Sequence, residues 1–412
     1  MTKLEQLIQE LCPNGVEFLP LWSVTIWDKK FNSVDRSKQN KVITYPYLLA
    51  SKLFSLEEEG GDVFLLSTGE QTGWTTVDKA GKYLCEGEVV TIPWGKSRPV
   101  VDCIKYYKGK FVTADNRIMT SYNTDILNNK YLYYWIMSMG KIIDTFYRGS
   151  GIKHPDMAKV LDMRIPVPPL EVQAEIVKIL DNFTELTAEL TAELTARKKQ
   201  YEYYLNNIFD GINVEYEPME NYFPFIRNGF VGTVTKFFTD KEHGIRYLEG
   251  KNIHDGIIID NEELYVTKEF HEKHIRNALK PDDILMVQSG HVGECAVVGD
   301  NYAGANCHAL IIMSNGGYIN SRYVVYYFQT IEGKKKLNRI TTGGTIKHIL
   351  ASTIKKVTIP VPNIEEQQRV VDILDRFDKL CNDISDGLPA EIEARQKQYE
   401  YYRDKLLTFK EL

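Results

Sequence analysis

The residues best suited to chemistry are two carboxylates and a lysine in the second half of the chain. Asp282 follows Pro281 at the start of an apolar run, and Glu332 and Lys334 follow further along. Acidic side chains in such a set can hold a divalent metal ion for phosphodiester hydrolysis. The same residues are typical of ordinary structure, because Pro-Asp-Asp is turn chemistry and lysines favour the end of a helix. A nuclease is therefore an alternative interpretation and not the main prediction.

Other catalytic and cofactor motifs are missing from the sequence. It has no P-loop, GxGxxG, HExxH, GxSxG or zinc-spaced set of Cys and His, and these patterns carry the commonest phosphate, metal and acyl-transfer chemistry. We therefore predict a chain that is not an enzyme and binds no metal or cofactor itself. It also has no apolar run long enough to span a membrane, no secretory signal and no CxxC pair, which favours a cytoplasmic protein.

The segments that must position any site are repeated. Residues 165–183 read IPVP-x-x-E-x-Q-x-x-x-V-x-ILD-x-F, and the pattern returns in residues 359–377. Residues 196–204 and 394–402 both read AR-x-KQYEYY. The chain is therefore a tandem duplication, in which each copy has a globular portion followed by a helical block.

The helical blocks follow from apolar periodicity. Residues 170–209 contain no Gly or Pro, and their apolar residues recur at steps of three and four, as in a heptad seam. A helix of that length is too long for one small domain to cover, so it needs a partner helix. The second copy supplies one, with a break predicted at residues 385–389, where Ser-Asp-Gly-Leu-Pro stops and restarts a helix.

The globular portions indicate mixed structure. Short β-rich runs are bounded by Gly, Asn and Asp, and helical segments lie between them. We predict an α+β fold with two globular domains built on small, twisted, mainly antiparallel sheets. Long helices that pair with each other should separate them. The predicted boundaries are 1–163, 164–210, 211–358 and 359–412.

The duplicated motifs resemble the specificity subunit of type I restriction-modification systems, and the resemblance covers essentially the whole chain. It implies that residues 1–163 and 211–358 are target recognition domains, each reading half of a bipartite DNA sequence. It also implies that the long helices pair as an antiparallel coiled coil with pseudo-twofold symmetry, which acts as a ruler between the domains. It also implies two modification subunits that carry S-adenosylmethionine and methylate adenine, and motor-nuclease subunits that use ATP and Mg²⁺. The tandem Thr-Ala-Glu-Leu repeat is similar to a spacer element of the family. Its candidate residues are Thr187, Leu190, Thr191 and Leu194.

Two loops are the main candidates for reading bases. Reading loop 1 (residues 93–98) and reading loop 2 (residues 288–293) follow matching β-rich runs but differ in sequence. Arg and Lys suit guanine and Gln suits adenine in the major groove; a solvated β-turn is the alternative. The loop candidates for DNA contact are Trp94, Lys96, Ser97, Arg98, Gln288, Ser289 and His291. Further candidates are Thr235, Lys236, Lys251 and Asn252 in the second domain, and Lys52, Thr72 and Trp74 in the first.

Two further segments are alike in both copies. Shared loop 1 (residues 149–154) and shared loop 2 (residues 343–348) both read G-x-x-I-K-H. Since domains that read different sequences share them, we predict that Lys153 and Lys347 contact phosphate, or that these loops fix each domain to its helix. The repeated YEYY segments are predicted to form coiled-coil core, a docking surface for two modification subunits, or both on different faces. Their candidate residues are Tyr201, Tyr204, Tyr399 and Tyr402.

The net charge of −6 is unusual for a protein that binds DNA. The helical blocks carry this excess of acid, whereas the globular portions are close to neutral. Nearly neutral recognition domains lack the excess of basic residues found in a protein that binds DNA tightly by itself. Tight binding of this chain to DNA should therefore depend on the modification subunits. A DNA-targeting subunit of another phage-defence complex, and a stand-alone nuclease or methyltransferase, remain alternatives.

Overall fold

The computed structural model describes residues 2–67, 72–96, 98–114, 117–210, 212, 214–344, 347–383 and 385–412. The chain divides into two compact units. Unit 1 comprises Met1–Leu190 and Ile392–Leu412, and unit 2 comprises Thr191–Glu391. Each unit therefore combines one globular portion with parts of both helical blocks.

The helices of the described residues include one that is much longer than the rest. They are α1 (Lys3–Leu11), α2 (Leu21–Val24), α3 (Ala50–Phe54), α4 (Val77–Ala80), α5 (Asn129–Ser138), α6 (Gly140–Thr145), α7 (Met157–Leu161), α8 (Leu170–Asn207), α9 (Lys268–Lys273), α10 (Ser321–Gln329), α11 (Ile331–Ile340), α12 (Ala351–Ile354), α13 (Ile364–Asn382) and α14 (Leu388–Leu406).

The strands are short, as the spacing of turn residues predicts. Those of unit 1 are β1 (Glu17–Pro20), β2 (Thr25–Trp27), β3 (Val63–Leu66), β4 (Trp74–Thr75), β5 (Cys85–Ile92), β6 (Lys105–Thr113), β7 (Arg117–Ser121), β8 (Tyr147–Arg148), β9 (His154–Pro155) and β10 (Arg164–Val167). Those of unit 2 are β11 (Tyr216–Pro218), β12 (Phe225–Asn228), β13 (Phe238–Thr239), β14 (Gly244–Leu248), β15 (Ile253–His254), β16 (Ile257–Ile258), β17 (Leu264–Thr267), β18 (Ile284–Val287), β19 (Cys295–Val297), β20 (Asn306–Cys307), β21 (Leu310–Ser314) and β22 (Thr358–Pro360).

The sheets are mainly antiparallel, which confirms the predicted fold class. Unit 1 has a six-stranded sheet in the order β2-β7-β5-β6-β3-β4, in which β5 pairs antiparallel with both neighbours and β3 runs parallel to β6. Unit 2 has two four-stranded sheets, β12-β21-β18-β19 and β13-β17-β14-β20, with one parallel pair between β14 and β20. The reading loops leave the ends of β5 and β18, whose buried side chains fix them in the cores.

Within each unit, parts of the two helical blocks pack against each other. In unit 1 the start of α8 lies against α14, where the rings of Phe183 and Tyr402 stack with centroids 5.5 Å apart. In unit 2 the end of α8 lies against α13, where Tyr204 and Phe377 stack at 5.3 Å. Helix α8 is unbroken over 38 residues, about 57 Å at 1.5 Å per residue.

The second block breaks where the sequence predicts. A Cβ atom at Gly387 would lie 2.6 Å from the carbonyl oxygens of both Lys379 and Asp383, so only glycine fits this close turn between α13 and α14. Pro389 then lies in the first turn of α14, where its missing N–H costs no helical hydrogen bond.

The repeated IPVP and ExQ residues fasten each helix to its globular portion. Gln173 is fully buried in unit 1; its Oε1 accepts from the Asn128 N–H at 2.8 Å, and its Nε2 donates to the carbonyls of Ile126 and Pro168 at 2.7 Å. Gln367 repeats this in unit 2, accepting from the Asn320 N–H and donating to the Pro362 carbonyl, both at 2.8 Å.

The aspartate of each ILD motif completes the same fastening. Tyr134 on α5 donates to Asp181 at 2.5 Å, and Tyr326 on α10 donates to Asp375 at 2.5 Å. Burial is the largest cause that raises the pKa of both tyrosines, and the neighbouring carboxylates add to it, so the phenols stay protonated donors. The motif residues are alike in both copies because they fasten the globular portion to its helix, a role that does not depend on the rest of that portion. We call these contacts of Gln173, Asp181, Gln367 and Asp375 the clamp.

Candidate nucleic-acid interface

The structure brings each reading loop against the shared loop of its own unit. In unit 1 the Lys96 N–H donates to the Lys153 carbonyl at 3.1 Å, as an antiparallel bridge. In unit 2 Ser289 forms the matching bridge with His348. The sequence analysis assigned these loops separate roles, whereas the structure brings them into direct contact within each unit.

Reading loop 1 is held from one side by residues just before and within shared loop 1. Tyr147 donates its hydroxyl to the Pro93 carbonyl at 2.5 Å, and His154 Nδ1 lies 3.0 Å from the Trp94 carbonyl oxygen. Gly95 approaches so closely that a Cβ there would lie 2.6 Å from Ile152 Cγ2. The backbone of residues 93–96 is therefore held on this side, while the Trp94 ring stays partly exposed.

The Lys96 side chain does not remain open for guanine, which corrects the sequence-based assignment. Its ammonium forms an ion pair with Asp144 and only 9% of the side chain is exposed. Burial tends to raise the pKa of Asp144, but the hydrogen bonds from Lys96 and from the Val100 N–H outweigh it and hold that pKa below its usual value. Lys96 therefore anchors the loop.

Trp94 presents a rigid, partly exposed ring in reading loop 1. The residue is 38% exposed, and the Arg117 guanidinium carbon lies 3.6 Å from its ring centroid. The His154 ring centroid lies 4.4 Å away. Arg117 itself is buried and also lies 5.3 Å from the centroid of Phe31. Sequence reasoning missed Arg117, because cation–π stacking between distant segments has no local pattern.

The other predicted residues of loop 1 differ in accessibility. Arg98 is half-buried and donates its Nε to Cys103 Sγ at 3.2 Å. Ser97 lies outside the described residues. Lys153 of shared loop 1 is exposed, which suits a phosphate contact.

Reading loop 2 is held by shared loop 2 through a different pair of atoms. Ser289 Oγ and His348 Nδ1 lie 2.5 Å apart, and the Ile349 N–H donates to the Gln288 carbonyl at 3.1 Å. The Gln288 side chain is half-buried and His291 is exposed. Gly290 has φ +87° and no neighbouring atom within 4 Å of its Cβ position, so the loop turns outward there.

Charged side chains of both signs lie beside reading loop 2, where Lys334 of helix α11 lines one cavity together with Asp255 and Glu294. Lys334 and Asn338 line a cavity of about 240 Å³ with Val292 and Gly293 of the loop. Lys335 and Arg339 are also exposed on α11, as is the acidic Glu332. Lys347 is exposed in the adjoining shared loop 2.

Some further candidates of unit 2 have exposed side chains, whereas others are already paired within the unit. Thr235 and Lys236 are exposed. Lys251 lies between Glu249 at 3.2 Å and Glu262 at 2.7 Å, so its charge is already compensated.

Asn252 is a second correction. It is 1% exposed, accepts from the Glu249 N–H at 2.9 Å and donates to the carbonyls of Ile259 and Asn261. Both ends of its amide are used in building the turn, so it positions this turn and does not contact a base.

The weaker candidates of unit 1 lie on a different part of the surface. Lys52 and Thr72 are exposed. Trp74 is 45% exposed and lines a hollow of about 550 Å³ with three consecutive glutamates. Glu57, Glu58 and Glu59 give this hollow a negative potential, which opposes a phosphate backbone. Trp74 is therefore poorly placed for DNA.

The YEYY segments contribute both to the core and to the surface. Tyr201 lies in the helical seam, with its ring centroid 6.2 Å from that of Phe377, and Tyr399 packs against the core of unit 1. Tyr204 and Tyr402 are 40% and 36% exposed. The most exposed members are residues that the sequence analysis did not select, Tyr203 at 65% and Tyr401 at 62%. Each forms an edge-to-face pair with the next tyrosine, at 5.8 and 5.4 Å.

The spacer residues all lie within α8. Thr187, Leu190 and Leu194 are half-buried, and Thr191 is exposed. The hydroxyl of Thr187 donates back to the Phe183 carbonyl at 2.8 Å, a bond that satisfies it within the helix. The boundary between the two units falls between Leu190 and Thr191.

Among the described residues, no group of three or more His, Cys, Asp or Glu side chains is arranged to hold a metal ion. The described cysteines are buried thiols, and burial raises the pKa of Cys85 to about 11. Nor does any helix in the described ranges combine the length and apolar character needed to cross a bilayer.

Comparison with known proteins gives a consistent result. Residues 29–197 and 217–394 each match the family described as the type I restriction modification DNA specificity domain. The EcoR124I/EcoR124II specificity subunit of Escherichia coli is 30% identical over 443 aligned positions, covering 99% of this chain and 97% of that protein. The S subunit of a type I system from M. genitalium has a similar fold, with a TM-score of 0.58 at 15% identity over 96% of this chain and 97% of that one.

Proposed function

The chain belongs to the family of type I restriction-modification specificity subunits, and we propose that it reads a bipartite DNA sequence for an adenine methyltransferase complex. One observation carries the proposal: each unit offers a divergent loop held by a shared loop, on a globular portion fastened by an identical clamp. Recognition of two unlike half-sites requires this arrangement, in which a repeated scaffold carries two recognition loops of different sequence.

The polar and aromatic side chains of the loops that are not buried are the proposed base contacts. In unit 1 these are Trp94 and Arg98, and in unit 2 they are Gln288 and His291, because the Ser289 hydroxyl already contacts His348. Arg pairs with guanine and Gln with adenine through two hydrogen bonds each, and an exposed indole can pack on a thymine methyl.

Phosphate contacts come from cations that the loops bring close to the duplex. Lys153 in unit 1 and Lys347 in unit 2 occupy matching places, and Thr235 and Lys236 extend the surface of unit 2. Such contacts set register and affinity but carry no sequence information.

We propose that α8 sets the spacing of the two half-sites. A single helix of 38 residues without an internal break transmits a change in length as both a translation and a rotation. The spacer residues Thr187 to Leu194 are the place where such a change would leave the packing within each unit intact.

The proposed partners are two copies of a modification subunit, and motor-nuclease subunits that join them. The tyrosine pairs at residues 203–204 and 401–402 occur once per unit with similar exposure, which suits two copies of one partner. S-adenosylmethionine, ATP and Mg²⁺ belong to those subunits, so this chain supplies no catalytic group. We expect the complex in the cytoplasm, where it meets DNA.

The test is methylation by purified components. The chain is incubated with DNA and S-adenosylmethionine, alone and with the modification subunit encoded beside it, and methylated positions are mapped by sequencing. We expect methylated adenines in one split sequence, and only when both proteins are present. Methylation by the chain alone would overturn the proposal, and dependence on a partner of another class would favour a different phage-defence complex.

A further inference from the structure

Two equivalent histidines hold the two reading loops. His154 Nδ1 lies 3.0 Å from the carbonyl oxygen of Trp94, and His348 Nδ1 lies 2.5 Å from the hydroxyl oxygen of Ser289. Trp94 and Ser289 occupy the same place in their loops, immediately before Gly95 and Gly290. We propose that His154 and His348 are positioning residues that fix the conformation of each reading loop and thereby the base discrimination of each half-site. The inference rests on the proposed function.

We call the contact between each histidine and its reading loop the latch. The two latches use different atoms of the reading loop, so a residue that both copies share can hold two loops of different sequence. In unit 1 the acceptor is a main-chain carbonyl, which any residue at position 94 would provide. The His154 ring also contacts the Trp94 ring, at 4.4 Å between centroids. In unit 2 the contact is made with a side chain, so it depends on the serine at position 289. The same histidine is therefore present in both units although their loops differ, whereas the loop atom that it contacts differs from one unit to the other.

The backbone around each histidine makes the latch stiff. The Lys153 carbonyl accepts from the Lys96 N–H, and His348 exchanges two main-chain hydrogen bonds with Thr342, both at 2.8 Å. Each histidine thus projects from a segment that is itself fixed. A loop fixed before binding loses less conformational freedom on the DNA and holds its donors in place.

A direct phosphate contact by the histidines gives a different expectation. Phosphate contacts weaken binding to all sequences alike, because every site carries the same backbone. A latch instead affects discrimination, and only at the half-site read by its own loop. The two units of one chain are therefore controls for each other.

The experiment measures discrimination in the complete methyltransferase complex. His154→Ala, His348→Ala and the unaltered chain are each assembled with the modification subunit and given a plasmid library randomised at both half-sites. Methylation is read by sequencing. Since one hydrogen bond is worth roughly a 2- to 12-fold change in an equilibrium, we expect a drop of that size in discrimination at the half-site of the altered unit. The other half-site should keep its full discrimination.

Conservative variants separate positioning from loss of folding. His154→Asn places an amide near the position of Nδ1 and should restore discrimination at its half-site. Ser289→Ala removes the other side of the second latch. It should have the same effect as His348→Ala, and the double variant should be no worse than either single one.

The outcomes distinguish the inference from the proposed function. If the unaltered complex methylates no split sequence, the proposed function fails. If it does, and the histidine variants weaken both half-sites equally or leave both unchanged, the latch is refuted. Thermal unfolding of every variant is recorded, and an alanine variant that has lost the cooperative transition is replaced by its phenylalanine counterpart, which keeps a ring of similar size but has no hydrogen-bonding nitrogen, and for which the same two results decide.

Discussion

Replacing the clamp glutamine of unit 1 by alanine should destabilise that unit more than any neighbouring change. The Gln173 side chain is fully buried and makes three hydrogen bonds of 2.7 to 2.8 Å with main-chain groups of Asn128, Ile126 and Pro168. Gln173→Ala leaves the Pro168 carbonyl without this partner in the interior, and the Asn128 N–H and the Ile126 carbonyl without it at partly buried positions. At about 1–3 kcal/mol for a buried group left unpaired, and less for the two partly buried ones, we expect a loss of about 2–5 kcal/mol in the free energy of unfolding.

The second copy of the clamp gives a matched comparison. Gln367 is 1% exposed and makes two such bonds, so Gln367→Ala should cost about 2–4 kcal/mol. The neighbouring Gln368 is exposed, and Gln368→Ala should change stability by no more than about 0.5 kcal/mol.

The two units can be followed separately in one denaturation experiment. All five tryptophans lie in unit 1, so their fluorescence reports that unit alone, whereas far-ultraviolet circular dichroism reports both. In guanidinium, Gln173→Ala should lower the denaturant concentration at the midpoint of the fluorescence transition. Gln367→Ala should leave that transition in place and shift only the part of the circular dichroism change that comes from unit 2. A fluorescence transition of Gln173→Ala that coincides with that of Gln368→Ala would refute the clamp.

Three further predictions concern the complex with DNA. Deleting the repeat from Thr191 to Leu194 shortens α8 by about 6 Å and rotates the C-terminal part of the helix by about 40°; the preferred spacer should change while both half-site sequences stay the same, as methylation of a spacer series would show. Lys153→Ala should weaken binding to all sequences alike and lower the slope of log affinity against log salt by about one; a loss confined to one base pair would contradict this. Tyr203→Ala and Tyr401→Ala should each halve the number of modification subunits bound, measured by analytical ultracentrifugation, because each removes one of two equivalent surfaces; undiminished binding of two copies by the double variant would exclude these surfaces.

The sequence predicted the duplication, the long helix and its broken counterpart because these depend on local patterns. Periodicity identifies a helix, and the Gly-Leu-Pro of residues 387–389 identifies its interruption. The mainly antiparallel sheets were also predictable from short runs and frequent turns. Two parallel pairs, β3 with β6 and β14 with β20, were not foreseen, because the order of strands depends on long-range packing.

The site was less predictable because its partners are distant in sequence. Lys96 looks free in the sequence, and only the fold brings Asp144 to it. Asn252 looks like a polar loop residue, yet its amide closes the turn. In the YEYY segments, heptad spacing selected the tyrosines at both ends, whereas the side chain between them, Tyr203 or Tyr401, is the most exposed.

The clamp also bears on how such a gene can change. Its contacts join the glutamine and the aspartate of each repeated motif to residues of the preceding globular portion, and none involves a reading loop. A globular segment exchanged by recombination between the two repeated motifs would therefore arrive with every contact needed to seat it. The repeated protein motifs on both sides of such a segment mean that, under the proposed function, one exchange would change the recognition sequence while the scaffold stays the same.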